Sequence, residues 1–259
     1  MKPQNAASTH ESFDPGHFAR LFELESGSFW FRGRSDLIEW ALQRYFANAR
    51  DFLEIGCGTG YVLNRLRERF PELALSGSEL FEEGLVFARQ RLGSAATLRQ
   101  LDATKLPYRE AFDAIGAFDV IEHIERDDAV LASVHDALRP GGGLLITVPQ
   151  HAWLWSDTDV AAHHVRRYAR AELKQKLVAA GFEVLRTTSF VTLLLPAMWL
   201  ARRRRGDGMQ EVEAELALPA PLNAIGYATL RAEAMLIRSG INLPAGGSLL
   251  AIARKPAAG

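Results

Sequence analysis

Acidic and histidine side chains occur together in two short segments of this chain, and they are the types that proton transfer or metal binding requires. Asp119, Glu122 and His123 stand at positions i, i+3 and i+4, which puts them on one face if that segment is helical. His163 and His164 lie further along, in a segment rich in aromatic and basic residues. We predict that His123, His163 and His164 are catalytic, as bases or as groups that position a substrate. The less favoured alternative is a metal site formed by Asp119, Glu122 and His123.

A glycine-rich turn is the second chemical signal. Residues 52–60 read FLEIGCGTG, an apolar segment that ends near the acid Glu54 and continues into Gly56, Gly58 and Gly60. Glycine adopts backbone angles closed to other residues, and the first N–H groups of a following helix are free to bind a ligand. A strand, a glycine turn and a helix N-terminus together are typical of nucleotide sites. The dinucleotide fingerprint requires glycine where this chain has Tyr61, so the spacing favours a different cofactor.

The elements that must position these groups alternate along the chain. Apolar periodicity predicts five strands separated by helices, at residues 52–56, 73–78, 96–101, 113–118 and 143–148. The helices are predicted at residues 60–69, 81–91 and 127–138, followed by a helix at 170–180 and strands at 182–191 and 248–253. Such alternation specifies a parallel sheet covered by helices on both faces. Ligands of such sheets bind outside the carboxyl ends of the strands, where Glu79 closes the second strand and can accept hydrogen bonds from ribose hydroxyl groups.

Motifs between Asp51 and Pro149 together resemble those of class I S-adenosylmethionine (SAM) methyltransferases. They are the glycine turn, Glu79, Asp102 after the third strand, the segment FDAIGAFDVIEHI at 112–124, and LRPGGG at 138–143. The resemblance implies an α/β fold, a Rossmann-like doubly wound seven-stranded sheet, mostly parallel with an antiparallel last strand. It also implies SAM as cofactor and S-adenosylhomocysteine as product. The implied cofactor-binding residues are Arg34, Glu54, Gly56, Gly58, Gly60, Glu79, Leu80, Asp102, Ala103, Ala117 and Phe118.

The resemblance assigns particular roles to some of these residues. Asp102 would accept a hydrogen bond from the adenine amino group, and Leu80 would flank the ring. The aromatic cluster at 29–34, FWFRGR, is similar to a cap that closes over SAM, with Arg34 available for the methionyl carboxylate. Asp119-x-x-Glu122-His123 resembles the metal-binding pattern of small-RNA 2'-O-methyltransferases and some ubiquinone-pathway O-methyltransferases. Their first acid is glutamate, and the shorter Asp119 has less reach toward a divalent metal.

The chain divides into segments of different pattern. Residues 1–14 are polar and are predicted to be disordered, and residues 15–48 form an N-terminal helical cap of two helices joined near residues 26–34. Residues 49–259 form the SAM-binding methyltransferase domain. More than fifty residues separate the last two strands, too many for a hairpin, so we predict a helical insertion at 192–246.

Composition restricts the partners. The formal net charge of −1 gives no general reason to bind nucleic acid, and the single cysteine, Cys57, allows no internal disulfide framework. The N-terminus lacks the apolar core of a signal peptide, so a cytoplasmic location is predicted. Residues 190–200 are apolar, include Trp199 and precede four arginines at 202–205, a pattern typical of peripheral contact with the inner face of an anionic membrane. A lid over an apolar substrate and a buried helix are the alternatives for residues 190–205.

These patterns predict a SAM-dependent methyltransferase that acts on a small or lipid-like acceptor, preferably at oxygen, with carbon and nitrogen open. A non-catalytic SAM-binding regulatory module is the first alternative, because it needs the same glycine turn. A dinucleotide-dependent oxidoreductase is the second, and Tyr61 and Asp102 disfavour it.

Overall fold

The computed structural model describes residues 16–201 and 217–257. The predicted disordered segment 1–14 and the arginines at 202–205 lie outside the described residues. The described part contains a seven-stranded sheet in the order β3-β2-β1-β4-β5-β7-β6. Its strands are β1 (Asp51–Ile55), β2 (Ala74–Glu79), β3 (Ala96–Gln100), β4 (Phe112–Phe118), β5 (Leu138–Pro149), β6 (Glu183–Phe190) and β7 (Ser248–Arg254).

The strand directions confirm the predicted fold class. β3, β2, β1, β4 and β5 pair in parallel, whereas β7 is antiparallel to β5 and β6, between which it lies. The carboxyl ends of the five parallel strands therefore meet at one edge of the sheet. The glycine turn after β1, Glu79 at the end of β2 and the segments after β4 and β5 are all at that edge.

Helices cover both faces of the sheet. They are α1 (His17–Leu24), α2 (Phe29–Tyr45), α3 (Tyr61–Arg69), α4 (Glu82–Leu92), α5 (Asp127–Ala137), α6 (Asp157–Ala161), α7 (Arg170–Ala179), α8 (Leu195–Ala201) and α9 (Ala220–Arg238). Strand residues alternate between the two cores, as a period of two requires. On β5, Leu145 packs on the same side as α2 and α3, while Leu144 and Ile146 pack on the side of α5 and α7.

The N-terminal helices differ from the sequence prediction at their junction. α2 begins at Phe29, so the aromatic cluster at 29–34 is helical rather than part of the connection, which spans only residues 25–28. The side chain of Asn223 in α9 explains this start, because its amide oxygen accepts a hydrogen bond from the Phe29 N–H at 2.6 Å. Such a bond satisfies one of the free donors of a helix N-terminus.

Helix α9 lies along α2. Gly33 approaches Leu230 so closely that an added β-carbon would lie 2.5 Å from its side chain, and the Tyr227 hydroxyl donates to Asp36 at 2.7 Å. The segment 192–246 thus contains helices, as expected, and one of them packs on the N-terminal segment. The proposed limits of the cap and the insertion remain predictions. Among the described helices, none has both the length and the apolar character needed to cross a bilayer.

Candidate active site

The glycine turn has the backbone conformation that its sequence predicts. Gly56, Gly58 and Gly60 have φ values of +61°, +52° and +74°. These angles are in the left-handed region, which residues with a β-carbon rarely adopt. A β-carbon on Gly56 would lie 2.5 Å from Val120, whereas one on Gly58 would be no closer than 3.6 Å to its nearest neighbour. Packing against the segment after β4 therefore restricts Gly56 most, whereas a β-carbon on Gly58 would make only ordinary contact with the Phe18 ring.

Glu79 is buried beside this turn, and backbone donors hold its carboxylate. One oxygen accepts from the Gly58 N–H at 2.9 Å, and the other accepts from the Leu80 and Phe81 N–H groups at 2.8 and 3.2 Å. Burial raises the pKa of Glu79, and the bonds from Phe81, Gly58 and Leu80 oppose that rise. A carboxylate offers about four lone-pair directions, so one remains for a ligand hydroxyl.

The other predicted cofactor residues occupy the same edge and the strands below it. Asp102 is exposed, and it accepts from the Thr104 N–H and hydroxyl at 2.8 and 2.7 Å, which caps a short 3-10 turn that begins at Ala103. Leu80 is 42% exposed. Ala117 and Phe118, in contrast, are buried in β4 and offer a ligand no side-chain surface.

Glu54 in β1 is buried without full compensation. Its exposed fraction is 3%, and its Oε2 atom has no hydrogen-bond partner among the described residues. Burial raises the pKa of Glu54 to about 8, although the nearby positive charge of Arg34 lowers it. Glu54 therefore carries a proton at neutral pH in this environment.

Arg34 and Asp119 form a buried ion pair. The Arg34 guanidinium donates to Asp119 and lies 4.4 Å from the centre of the Trp30 ring, while the Thr147 hydroxyl donates to Asp119 at 3.1 Å. The Nε of Arg34 is buried and has no hydrogen-bond partner among the described residues. Arg34, predicted for the methionyl carboxylate, thus retains one unused donor.

The segment after β4 does not form the helical face on which Asp119, Glu122 and His123 were expected to meet. Asp119 has a φ of +58°, and only a 3-10 turn follows, over Ile121–His123. The left-handed conformation directs Asp119 to Arg34, so the three predicted metal ligands are not brought together as a set.

A different group of three side chains is brought together instead. Ligand atoms of Glu122, His123 and His164 all lie within 4.8 Å of one another. The His123 and His164 rings are 4.7 Å apart between centroids and nearly perpendicular. Burial, with a further contribution from His164, lowers the pKa of His123 to about 3, so this imidazole is neutral at pH 7.

Glu122 is the most isolated member of this group. It is fully buried, and neither of its carboxylate oxygens has a hydrogen-bond partner among the described residues. Burial first, and then the charge of Asp119, raise the pKa of Glu122 well above its ordinary value. Buried polar atoms are normally satisfied, and exceptions are common where a ligand or ion is bound.

Asp159 holds His164 in this position. Its Oδ1 atom is 2.8 Å from His164 Nδ1 and accepts from Arg167 Nε at 2.7 Å, and the Ser156 N–H donates to Oδ2 at 2.9 Å. Burial raises the pKa of Asp159, but the hydrogen bond from His164 and the charge of Arg167 outweigh it and lower this pKa to about 2. His163, also predicted as catalytic, is exposed with a φ of +55° and is not a member of the group.

A second buried network ties the N-terminal segment to the glycine turn, and the sequence analysis did not identify it. Glu25 accepts hydrogen bonds from the Thr59 hydroxyl and from Arg91, and Arg91 also donates to the Thr59 carbonyl oxygen at 2.9 Å. The Phe18 ring packs against Gly58 and Gly84. The partners come from α1, the turn and α4, so no local spacing signals the contact.

Comparison with known proteins identifies the family to which the chain belongs. A family model of a methyltransferase domain matches residues 28–187. A probable S-adenosylmethionine-dependent methyltransferase of Mycolicibacterium smegmatis is 30% identical over 164 residues, 62% of either chain. The malonyl-acyl-carrier-protein O-methyltransferase of Hahella chejuensis is 25% identical, over 64% of this chain and 63% of that one. The match thus spans less than two thirds of each of these curated relatives. The solved structure of the cyclase SpnF has a TM-score of 0.61 at 23% identity, and it covers 88% of this chain and 84% of that chain.

Proposed function

Because the chain belongs to the class I SAM-dependent methyltransferases, we propose that it transfers the methyl group of SAM to an oxygen atom of a small or lipid-like acceptor. The observation that carries the proposal is the presence of two distinct sets of side chains at one edge of the sheet. The glycine turn and Glu79 suit a nucleoside, and the group formed by Glu122, His123 and His164 suits an acceptor.

The cofactor half of the proposal assigns one contact to each part of SAM. Glu79 accepts a hydrogen bond from a ribose hydroxyl group, and Asp102 accepts one from the adenine amino group. The unused Nε donor of Arg34 binds the methionyl carboxylate. Asp119 and Glu54 lie next to Arg34 and supply acceptors for the methionyl ammonium group.

The acceptor half follows from the chemistry of methyl transfer. The sulfonium of SAM is already a good leaving group, so the protein has to align the acceptor oxygen with the methyl carbon and allow the oxygen to lose its proton. His123 is neutral at pH 7 and accepts a hydrogen bond more readily than it holds a proton. We therefore assign His123, Glu122 and His164 to the acceptor and give His163 no direct contact with it.

The preference for a lipid-like acceptor rests on the surface around α8. Leu193 and Leu200 are 54% and 58% exposed, and four arginines follow α8 in the sequence at 202–205. Apolar side chains next to basic residues suit the interface of an anionic membrane. We propose peripheral contact with the inner face of the membrane, from which a lipid-like acceptor would be taken.

Liposome sedimentation tests this contact. The double variant Leu193→Ser, Leu200→Ser should reduce binding to anionic vesicles at low salt, because it removes apolar area that the membrane would bury. Val86→Ser is the matched control, since Val86 is 53% exposed but lies on α4. If both variants bind like the unmodified protein, or if nothing binds, the membrane contact is excluded.

Methyl transfer itself is tested with labelled SAM and a fractionated cell extract. We expect label to enter a small or lipid-soluble product and to be released from it by cleavage of a methyl–oxygen bond. Titration with SAM, S-adenosylhomocysteine and NAD checks the cofactor. Tighter binding of NAD would overturn the proposal. Binding of SAM with no transfer to any fraction would instead favour a regulatory module, and SpnF shows that a cyclase shares this fold.

A further inference from the structure

Glu122, His123 and His164 have the geometry of an incomplete metal coordination shell. Two donor atoms bound to the same ion are at most about 4.2 Å apart, because metal–nitrogen and metal–oxygen bonds are about 2.1 Å long. The three ligand atoms here lie within 4.8 Å of one another, so a side-chain adjustment of less than about 1 Å would place all of them around one ion.

The buried carboxyl oxygens of Glu122, which have no hydrogen-bond partner among the described residues, are suited to bind a cation. A fully buried carboxylate without hydrogen bonds is strongly disfavoured unless it is paired, protonated or bound to a metal. The two guanidinium groups whose charges reach Glu122 belong to Arg34 and Arg167, and they are paired with Asp119 and Asp159. No described side chain donates to Glu122 or neutralises it, so its carboxyl group has to hold a proton or bind a cation.

The orientation of His164 adds an independent observation. Its Nδ1 atom is hydrogen-bonded to Asp159, so Nε2 is the ring nitrogen that this bond leaves for an ion. Histidines that bind metals almost always use their second nitrogen in this way, with a carboxylate that fixes the ring. Arg167 and the Ser156 backbone hold Asp159 in turn, so the support for His164 is itself rigid.

We propose that Glu122, His123 and His164 bind one divalent transition-metal ion. Two imidazoles and one carboxylate suit Zn²⁺, Mn²⁺, Fe²⁺ or Co²⁺ better than Mg²⁺, which prefers an all-oxygen shell. Three protein ligands leave at least one coordination position open, as in catalytic rather than structural sites.

The open coordination position indicates which class of acceptor would bind. This inference about the acceptor rests on the proposed methyl transfer. An acceptor whose hydroxyl oxygen binds the ion loses its proton to water more easily, because the cation stabilises the oxygen anion. That oxygen then forms a bond to the methyl carbon of SAM while the carbon–sulfur bond breaks and its electron pair goes to sulfur. The products are the methyl ether or ester and neutral S-adenosylhomocysteine. Acceptors with two adjacent oxygens, such as catechols or hydroxy acids, would fill two positions and bind best.

Direct metal binding tests the site without reference to activity. Chelator-treated, dialysed full-length protein is titrated with Co²⁺, and the visible absorption of bound Co²⁺ is followed to its stoichiometry. We expect one ion per chain. Glu122→Gln and His164→Asn should each lower the affinity at least tenfold, and Asp159→Asn should lower it about 10- to 100-fold through the loss of its hold on His164.

The neighbouring histidine provides the matched control. His163→Asn changes an exposed imidazole next to His164, and asparagine tolerates its positive φ, so Co²⁺ binding should be unchanged. Circular dichroism and SAM titration confirm that each variant is folded.

The proposal is overturned if folded protein binds no Co²⁺, or if Glu122→Gln and His164→Asn both bind it as the unmodified protein does. Methyl transfer that persists in metal-free protein would overturn the role of the ion and leave the proposed function standing. If one ion binds per chain but no methyl transfer is found, the metal site stands and the proposed function is overturned.

Discussion

Glu79 and Glu122 are both buried acids at the carboxyl edge of the same sheet, and their surroundings are opposite. Three backbone N–H groups hold Glu79 in the glycine-turn region, whereas no described group donates to Glu122 in the histidine group. The first region is assembled from residues close together in the chain, and its polar groups are satisfied by the fold alone. The second is completed by a distant loop and keeps a carboxyl group whose oxygens have no hydrogen-bond partner among the described residues. The unsatisfied carboxyl group lies where the proposed ion would bind, whereas the acid in the glycine-turn region needs no ion to satisfy it.

The largest expected effect comes from the packing of the glycine turn. Gly56→Ala should destabilise the protein by about 2 to 5 kcal/mol, because it combines a left-handed residue with a β-carbon 2.5 Å from Val120. Gly58→Ala has a similar φ, and its β-carbon would make only ordinary contact with Phe18 at 3.6 Å, so only the conformational cost of about 1 to 2 kcal/mol should appear. Urea unfolding of both variants measures the difference. Equal losses would show that Val120 does not restrict the turn.

The contact between Gly56 and Val120 illustrates what the sequence can predict. The positive φ values follow from the glycine spacing, and the seven strands follow from apolar runs between turn residues, so both are local signals. The packing partner of Gly56 comes from the segment after β4 and has no local signal.

The histidine group shows the same limit more strongly. Spacing grouped Asp119 with Glu122 and His123, but Asp119 turned to Arg34, 85 residues away in sequence. Asp159 and Arg167 fix the loop that carries His164, and the Val165 N–H of this loop donates to the Glu122 carbonyl oxygen at 2.8 Å. That contact between the loop and the turn after β4 is long-range, and no periodicity encodes it.

The second prediction concerns Glu54, which lies between the two regions. Its pKa is raised from 4.5 to about 8 in the folded protein. Below pH 4.5 Glu54 is protonated in both the folded and the unfolded protein. Between pH 4.5 and 8 only the folded protein keeps the proton. The free energy of unfolding of the wild-type protein therefore falls by about 1.4 kcal/mol per pH unit in this range. Glu54→Gln does not titrate, and its stability relative to wild type should therefore rise with pH and reach about +3 kcal/mol at pH 7. Parallel stability curves from pH 4 to about pH 8 would contradict a buried, protonated Glu54.

The third prediction sets the two buried acids directly against each other. In metal-free protein, Glu122→Met should increase the free energy of unfolding by about 1 to 3 kcal/mol, since it removes an unsatisfied buried group and keeps its volume. Glu79→Met should decrease it by a similar amount, because three backbone donors lose their acceptor. Guanidinium unfolding measures both. Changes of the same sign would remove the contrast between the two regions.

The smallest expected effect distinguishes two acids within the cofactor region. Asp102 is exposed and Glu79 is buried, so a hydrogen bond from SAM to Asp102 competes with water and is worth less. Asp102→Ala should weaken SAM binding about two- to tenfold, or about 0.5 to 1.5 kcal/mol, and Glu79→Ala should weaken it by about 1.5 to 3 kcal/mol. Thr104→Ala is the control, because it removes the hydroxyl partner of Asp102 but keeps the carboxylate for adenine. Calorimetric titration with SAM compares the three variants. If Asp102→Ala binds SAM like wild type while Glu79→Ala does not, the adenine contact lies elsewhere and only the ribose contact of this region stands.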